Sequence, residues 1–159
     1  MKGKKATRIA RRGDALVQVG ALPYRHVDSG PVEFLLLTSR ETKRFIIPKG
    51  WRMKGRSDAQ AAAREAAEEA GVEGRVDPAP IGTYRYWKRL RRAFVPVRVI
   101  VFGLQVEVEL EKWRERRQRS RQWLTREQAM ALLDEPELVT LIAGFSPSEA
   151  SDAAGGPQG

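Results

Sequence analysis

Three apolar segments of the chain predict β-strands. Residues 15–24 alternate apolar and small side chains and end at Pro23 and a polar turn, which is typical of a strand. Residues 34–38 form a short continuous apolar run and indicate a strand buried on both faces. Residues 95–104 are mostly apolar and β-branched, so they predict a central strand. Because Pro96 cannot donate a ladder hydrogen bond, we expect ordinary pairing only after it.

Further segments extend this pattern. Residues 81–87 alternate as a strand does, and the basic residues 88–92 follow as a hairpin-like tip. Residues 106–110 alternate again. Near the C-terminus, Thr125 is placed to cap a helix, and residues 137–145 predict a second one. The predicted elements therefore begin with strands and end with two helices near the C-terminus.

Strong helix signals frame residues 57–71. Ser57 is a favoured N-cap, Gln60 completes a capping box with it, and Gly71 suits the left-handed residue after the last turn. A rotation of about 100° per residue places two stripes on this helix. One stripe carries Ala59, Ala62, Ala63, Ala66 and Ala70, and the other carries Ala61, Glu65, Glu68 and Glu69.

The three glutamates of the second stripe call for a counter-charge. Like charges three or four residues apart repel by about 0.2–0.5 kcal/mol per pair on an exposed helix. A bare surface helix is the ordinary alternative, but a hard divalent cation explains the arrangement better. Mg²⁺ takes carboxylate oxygens and keeps positions open for water and substrate phosphate. The alanine stripe lets the helix backbone pack closely against a sheet.

Composition narrows the chemistry further. The 159 residues, 42% of them hydrophobic, fit one domain. With no cysteine and one histidine, any metal is expected to be held by oxygen. The net charge of +9 and the pI near 10.3 imply attraction to polyanions, which include phosphorylated small molecules, nucleic acid and anionic membranes.

The chain is expected to form one folded domain with two irregular ends. We predict a flexible basic arm over residues 1–13, the domain over residues 14–145 and a disordered tail over residues 146–159. The basic start is not followed by an apolar h-region, and no segment approaches the run of about 18 apolar residues that a membrane span needs. We therefore expect a cytoplasmic protein with no membrane partner.

Residues 50–72 resemble the Nudix box. In that motif a glycine is followed after five residues by a glutamate and, after seven more, by Arg-Glu-apolar-x-Glu-Glu-x-Gly-apolar. The matching residues are Gly50, Arg64, Glu65, Ala66, Glu68, Glu69, Gly71 and Val72. Arg56 stands where the family has its first glutamate, which puts the geometry of the loop in question. The resemblance implies an α/β/α sandwich with a mixed central β-sheet, and Mg²⁺- or Mn²⁺-dependent hydrolysis of a diphosphate linked to another group.

The resemblance also implies roles for the site residues. Glu68 and Glu69 are expected to be the principal metal ligands, and the Gly50 carbonyl to complete the shell. Glu65 is either a ligand or the base that deprotonates the attacking water, and both roles stay open. Arg64 is expected to orient a carboxylate through a charge-assisted hydrogen bond. Candidates for a further downstream carboxylate are Glu107, Glu109, Glu111 and Glu115.

Basic residues near the box exceed what one diphosphate requires. The candidate substrate-binding residues are Lys49, Arg52, Lys54, Arg56, Arg40, Arg44, Arg85 and Lys88. They favour a polyphosphorylated small molecule. Residues 48–50 resemble the corresponding segment of Nudix enzymes acting on diphosphoinositol polyphosphates and dinucleoside polyphosphates. The Trp113-x-Glu115 and Arg121-x-Trp123 pairs resemble the first of these subgroups. Residues that could stack a base, or pack in the core, are Trp51, Tyr84, Tyr86 and Trp87.

Alternative functions remain at the level of the sequence. The basic arm and Arg56 are compatible with an RNA 5′-pyrophosphohydrolase or with a catalytically weak nucleic-acid-binding Nudix module, and a nucleoside triphosphate pyrophosphohydrolase is a further alternative. Nucleic acid is the less favoured partner, and the oligomeric state is open.

Overall fold

A mixed β-sheet organises the protein. The computed structural model describes residues 16–147, and within this range the strands form one eight-stranded sheet. The central path runs β3-β2-β1-β7-β5, with β4 paired to β1, β6 to β7 and β8 to β2. Strands β1 and β7 run parallel, whereas the other pairs are antiparallel. Residues 95–104, predicted as a central strand, therefore lie in β7 near the centre of the sheet.

The elements follow the predicted order. The strands are β1 Leu16–His26, β2 Val32–Thr38, β3 Phe45–Ile46, β4 Lys49–Trp51, β5 Val72–Val76, β6 Gly82–Leu90, β7 Ala93–Glu109 and β8 Arg121–Thr125. The helices are α1 Asp58–Glu65, continued by a π-helical turn Ala66–Ala70, then α2 Arg126–Leu132 and α3 Pro136–Gly144. Each predicted strand and helix is present, with ends shifted by a few residues.

Two apolar layers enclose the sheet, which confirms the α/β/α sandwich. Strand β2 shows why, because its alternate side chains enter opposite layers. Phe34 and Leu36 pack with the residues of α2 and α3, including Ile142. Leu35 and Leu37 pack with the alanines of α1. The continuous apolar run in β2 is therefore buried on both faces, as predicted.

The prediction for Pro96 is wrong. Strand β7 pairs with β6 on both sides of this residue, since Trp87 lies opposite Pro96 and the ladder continues through Lys88 and Val95. Strand β1 joins β7 only from Val97 onward. At Pro96 the described strands give β7 a partner on one side alone, and such edge positions tolerate proline.

Some predictions fall on residues that are not described. The basic arm over residues 1–13 lies outside the described range, and so does the predicted C-terminal tail except for residues 146 and 147, which are irregular. Among the described helices, none is long and apolar enough to cross a membrane.

Candidate active site

Helix α1 begins with the predicted capping box. The Gln60 backbone N–H donates to Ser57 Oγ at 3.1 Å, and the Ser57 N–H donates to Gln60 Oε1 at 3.0 Å. The loop before the helix is fixed by Arg52, whose Nε and Nη2 donate to the two oxygens of Asp58 at 3.0 and 2.9 Å. These contacts satisfy the first N–H groups of the helix and tie the loop to its first turn.

The helix ends in a way that the sequence did not predict. Residues Ala66–Ala70 form a π-helical turn, and Gly71 then adopts the left-handed conformation with φ 64°. The predicted glycine end is confirmed, and Glu68 and Glu69 lie within the π-helical turn. Single π-helical turns are frequent at functional sites.

The division into an apolar and an acidic stripe is only partly correct. Ala59, Ala62, Ala66 and Ala70 are buried as expected. Ala61 and Glu69, from the acidic stripe, are buried as well. The acidic stripe is enclosed because it faces β4 and the segment that leads into β8, and it is not simply the outer surface of the helix.

Glu69 is the most enclosed of the three glutamates. Its Oε2 accepts a hydrogen bond from the Lys49 backbone N–H at 3.1 Å. Its Oε1 lies 3.4 Å from Nη2 of Arg119, and both side chains of this ion pair are more than nine-tenths buried. Burial raises the pKa of Glu69 to about 7, although the charges of Arg119 and Lys49 act in the opposite direction.

Glu65 lies against the backbone of β4. A Cβ atom added to Gly50 would overlap the Glu65 carboxylate, so the glycine is required for this close approach. Burial, followed by the charges of Glu69 and Glu68, raises the pKa of Glu65 to about 7. Gly50 and Glu65, two members of the predicted metal-binding set, are therefore in direct contact.

Glu68 is held on the flank of the helix by arginines. Arg64 Nε donates to Glu68 Oε1 at 3.0 Å, as expected from the spacing of the two residues. Nη1 of Arg114 lies 3.7 Å from Glu68 Oε2. The expected orienting contact of Arg64 is present in the structure.

The segment between β7 and β8 closes over the end of the helix. The indole N–H of Trp113 donates to the Glu69 carbonyl at 3.2 Å, and the Glu115 N–H donates to the Glu68 carbonyl at 3.1 Å. Arg121 donates to the carbonyls of Ala70 and Gly71 and stacks on the Trp113 ring at 4.1 Å. The carbonyls at the helix end thus accept hydrogen bonds from three distant residues of the chain.

Comparison with known proteins identifies the family. The model of the NUDIX domain matches residues 17–145. This chain belongs to the Nudix hydrolase family. It is 34% identical over 131 residues to mitochondrial Nudix hydrolase 12 of Arabidopsis thaliana, covering 71% of this chain and 64% of that protein. It is 31% identical over 147 residues to mitochondrial Nudix hydrolase 16 of the same plant, covering 84% and 81% of the two chains.

Solved structures agree on the Nudix fold. A C. elegans Ap4A hydrolase in a binary complex superimposes with a TM-score of 0.61 at 24% identity, covering 88% of this chain and 99% of that one. The NUDIX domain of Shewanella oneidensis NrtR, crystallised with ADP ribose, gives a TM-score of 0.60 at 14% identity, with coverage of 90% and 97%. At these identities the likeness concerns the fold.

The Nudix carboxylates suit a hard divalent cation in their chemistry. Glu65 and Glu69 are oxygen donors whose charges repel each other and whose pKa values burial raises, and a bound cation would relieve both effects. Their side chains do not form a preorganised metal site, since no group of three acidic or histidine side chains within residues 16–147 is close enough to hold a metal. Glu68 is instead paired with Arg64 and Glu69 with Arg119.

Of the four downstream acids, Glu115 reaches the Nudix carboxylates. Its side chain is mostly buried, and Oε1 accepts from Arg119 Nε at 3.2 Å. Its charge contributes to the raised pKa of both Glu65 and Glu69. Glu107, Glu109 and Glu111 are exposed, and Glu109 accepts a hydrogen bond from Trp123.

Four of the predicted substrate-binding cations lie around this site. The Lys49 ammonium sits 4.9 Å from the centre of the Tyr86 ring, and burial lowers its pKa to about 8. The Lys88 ammonium lies 5.9 Å from the centre of the Trp51 ring, and burial with the charge of Arg40 lowers its pKa. Arg40 approaches Glu115 at 3.8 Å, and Arg44 pairs with Glu135 at 3.1 Å.

The other predicted cations are placed differently. Arg85 lies on the reverse face of β6 from Tyr86 and Lys88 and pairs with Glu137 at 3.1 Å. Arg52 is engaged with Asp58, and Lys54 is exposed in the loop. Arg56 lines an open groove of about 640 Å³ whose α1 residues, among them Ala63 and Ala67, lie on the side of the helix away from Glu69. A role of Arg56 in substrate binding stays a prediction.

The wall opposite the helix holds a polar cluster that the sequence did not reveal. The Tyr86 hydroxyl donates to Gln18 at 2.6 Å. Burial, together with the charge of Glu135, raises the pKa of Tyr84. Glu135 is buried, and its Oε2 has no hydrogen-bond partner among the described residues. Such an oxygen can accept a donor group from a ligand or a water molecule.

Sequence reasoning did not single out Arg119 or Glu135, and it named Arg121 only as part of the Arg121-x-Trp123 resemblance. The four-residue interval between Glu115 and Arg119 was a usable sign of a pair. The contacts of Arg121 with Ala70 and Gly71 span about fifty residues of sequence, so no local pattern could have indicated them.

Proposed function

We propose that this Nudix protein hydrolyses a phosphoanhydride bond in a polyphosphorylated small molecule with the help of Mg²⁺ or Mn²⁺. The observation that carries the proposal is the pair of carboxylates Glu65 and Glu69, whose pKa values burial raises, together with Lys49 and Lys88, which lie close enough to Glu69 to feel its charge. Carboxylates on one side and cations on the other match the needs of phosphoryl chemistry.

Glu65, Glu68, Glu69 and the Gly50 carbonyl would hold the metal. When bound, the cation neutralises phosphate charge and lowers the pKa of a coordinated water. Glu68 is oriented for this role by Arg64, and Arg119 keeps Glu69 in place. Both arginines act as positioning residues and not as groups that touch the reacting atoms.

Glu65 has two candidate roles. As a base it accepts the proton of the attacking water on a carboxylate oxygen, and a pKa of about 7 suits a general base near neutral pH. As a ligand it would contribute a second oxygen beside Gly50. The raised pKa of Glu65 is a property of the metal-free protein, and a bound cation would lower it.

Lys49, Lys88, Arg40 and Arg44 are the proposed phosphate-binding residues. Lys49 reaches the site from β4 beside Glu69, and Lys88 extends from the same face of β6 as Tyr86. Four cations exceed the requirement of a single diphosphate, which supports a highly phosphorylated substrate. Burial of Lys49 strengthens its contact with a phosphate, because the local dielectric is lower than in water.

We infer that the substrate is a diphosphoinositol polyphosphate or a dinucleoside polyphosphate. The first is supported by the Trp113-x-Glu115 and Arg121-x-Trp123 pairs. The second is supported by the aromatic rings of Trp51 and Tyr86 beside the cations and by the fold shared with an Ap4A hydrolase.

A panel assay tests this proposal. Phosphate or nucleotide release is measured with diphosphoinositol polyphosphates, diadenosine polyphosphates, nucleoside triphosphates, ADP-ribose and 5′-triphosphate RNA, each with Mg²⁺, with Mn²⁺ and with EDTA. We expect cation-dependent turnover that is fastest for one of the first two substrates. Faster turnover of ADP-ribose or RNA would contradict the substrate class, and turnover in EDTA would contradict the metal. A cytoplasmic location remains a prediction, and localisation of a fluorescent fusion would test it.

A further inference from the structure

Strands β6 and β7 form a hairpin whose outer surface is both aromatic and cationic. We call this surface the hairpin face, and its residues are Arg85, Trp87, Arg89, Phe94, Pro96 and Arg98. In the hairpin register Arg85 lies opposite Arg98, Trp87 opposite Pro96 and Arg89 opposite Phe94. Because alternate residues of a strand point to opposite sides, the three aligned pairs share one side of the hairpin.

The aromatic side chains of the hairpin face are unusually exposed. Trp87 is 68% exposed and Phe94 is 65% exposed, more than any other large apolar side chain described. This exposure arises because helix α1 covers only part of this side of the sheet. Farther along β7, Ile100 and Phe102 on the same side are covered by the alanines of α1, but this cover does not extend to Phe94. Exposed apolar side chains that lie together and are surrounded by polar residues mark an interaction surface.

The surrounding charge restricts the partner. From Pro78 to Val106 the chain has six basic residues and no acidic one. Arg85 is partly neutralised by Glu137 from α3, whereas no ion pair is found for Arg89 or Arg98 among the described residues. A second copy of the same face would bring like charges together, which disfavours self-association.

We propose that the hairpin face binds single-stranded nucleic acid. Flat aromatic rings stack on bases of any sequence, and neighbouring arginines contact the phosphates. An anionic membrane fits less well, because the tip of the hairpin carries Arg91 and Arg92 while the aromatic rings lie farther back, between cations. The net charge of +9 of the whole chain favours a polyanionic partner as well.

The hairpin face is separate from the proposed phosphate-binding residues. Trp87 lies on the reverse side of β6 from Tyr86 and Lys88, which border the active site. Hydrolysis of a small substrate and binding of a nucleic acid can therefore be changed independently. A failure of one would not imply a failure of the other.

The test is fluorescence anisotropy with the full-length protein and a short labelled oligouridylate. The double substitution Trp87→Thr with Phe94→Thr removes both rings and keeps side chains that suit a strand. We expect it to weaken binding about tenfold or more. The matched variant Trp87→Phe with Phe94→Tyr keeps two rings and should bind as the wild type does. Arg98→Ala should lower the slope of log affinity against log salt by about one.

Controls separate this result from general effects. Leu132→Ala removes an exposed apolar side chain on α2 and should leave binding unchanged, as should Lys112→Ala for an exposed cation. Turnover of the small substrate should be retained in all five variants. The proposal is overturned if the double threonine variant binds the oligonucleotide like the wild type, if vesicles containing phosphatidylserine are bound more tightly than the oligonucleotide, or if that variant changes only the oligomeric state. If the variant Trp87→Thr with Phe94→Thr does not fold, Phe94→Thr alone is compared with the variant Trp87→Phe with Phe94→Tyr under the same criteria.

Discussion

Removal of the Arg119 side chain should destabilise the protein by about 3 kcal/mol, because it leaves two carboxylates in the site without their cation. The guanidinium is only 9% exposed and lies 3.4 Å from Glu69 and 3.2 Å from Glu115. It also donates to the Thr38 carbonyl at 3.4 Å. Arg119→Ala removes all three contacts at once.

The magnitude follows from the distances and the burial. Two unit charges at this separation attract by about 5 kcal/mol at an effective dielectric constant of 20, but desolvation of the ions offsets much of this. Breaking a buried pair by removing one partner costs about 3–5 kcal/mol. We take the lower end because Glu69, whose pKa is already raised to about 7, can accept a proton when its cation is lost.

Urea unfolding at neutral pH without divalent metal measures the effect. A loss of about 3 kcal/mol corresponds to a midpoint lower by about 1–3 M. Arg117→Ala, an exposed arginine two residues earlier, should change stability by less than about 0.5 kcal/mol. A double-mutant cycle with Glu69→Gln isolates the pair. If Arg119→Ala costs as much in the Glu69→Gln background as in the wild type, the two residues do not interact and the reasoning is refuted.

Two further predictions concern the carboxylates. Gly50→Ala places a Cβ where the Glu65 carboxylate lies, so turnover should fall about tenfold or more while the free energy of unfolding falls by only about 1–3 kcal/mol. The control is Gly144→Ala, where a Cβ meets no atom within 4 Å. Equal turnover in both variants would contradict the placement of Glu65. In EDTA, the stability of the wild type relative to Glu69→Gln should be greatest below about pH 4.5 and fall as the pH rises through about 7, because the folded state holds the Glu69 proton more tightly than the unfolded chain does. Thermal unfolding across that range should also show stronger Mg²⁺ stabilisation above pH 7 than below it, and a Mg²⁺ effect independent of pH would count against the carboxylate site.

The sequence predicted those parts of the fold that rest on local signals. Ser57 with Gln60, Thr125 with Gln128, and Gly71 set the ends of helices through contacts within a few residues, and all three are confirmed. The alternation of side chains along β6 could have predicted that Arg85 and Lys88 lie on opposite faces of the sheet, because residues three apart on a strand point to opposite sides.

The remaining features depend on contacts between distant segments. Trp113 and Arg121 donate hydrogen bonds to carbonyls of the π-helical turn and of Gly71. Both residues are more than forty positions away in the sequence. Burial of Ala61 and Glu69 likewise depends on what covers that side of α1. The tolerance of Pro96 depends on where β1 begins to pair. These three features depend on the tertiary arrangement, so no local segment of the sequence predicts them.

The central claim is that the acidic side of α1 performs metal-dependent hydrolysis, and Glu69→Gln tests it most directly. The amide can still accept the Lys49 N–H bond, so the circular dichroism spectrum should match that of the wild type. Glu73→Gln, an exposed acid on β5, is the matched control. With the best substrate and saturating Mg²⁺, we predict that Glu69→Gln lowers turnover by about 100-fold or more and that Glu73→Gln leaves it unchanged. Undiminished turnover in a folded Glu69→Gln protein would contradict the account.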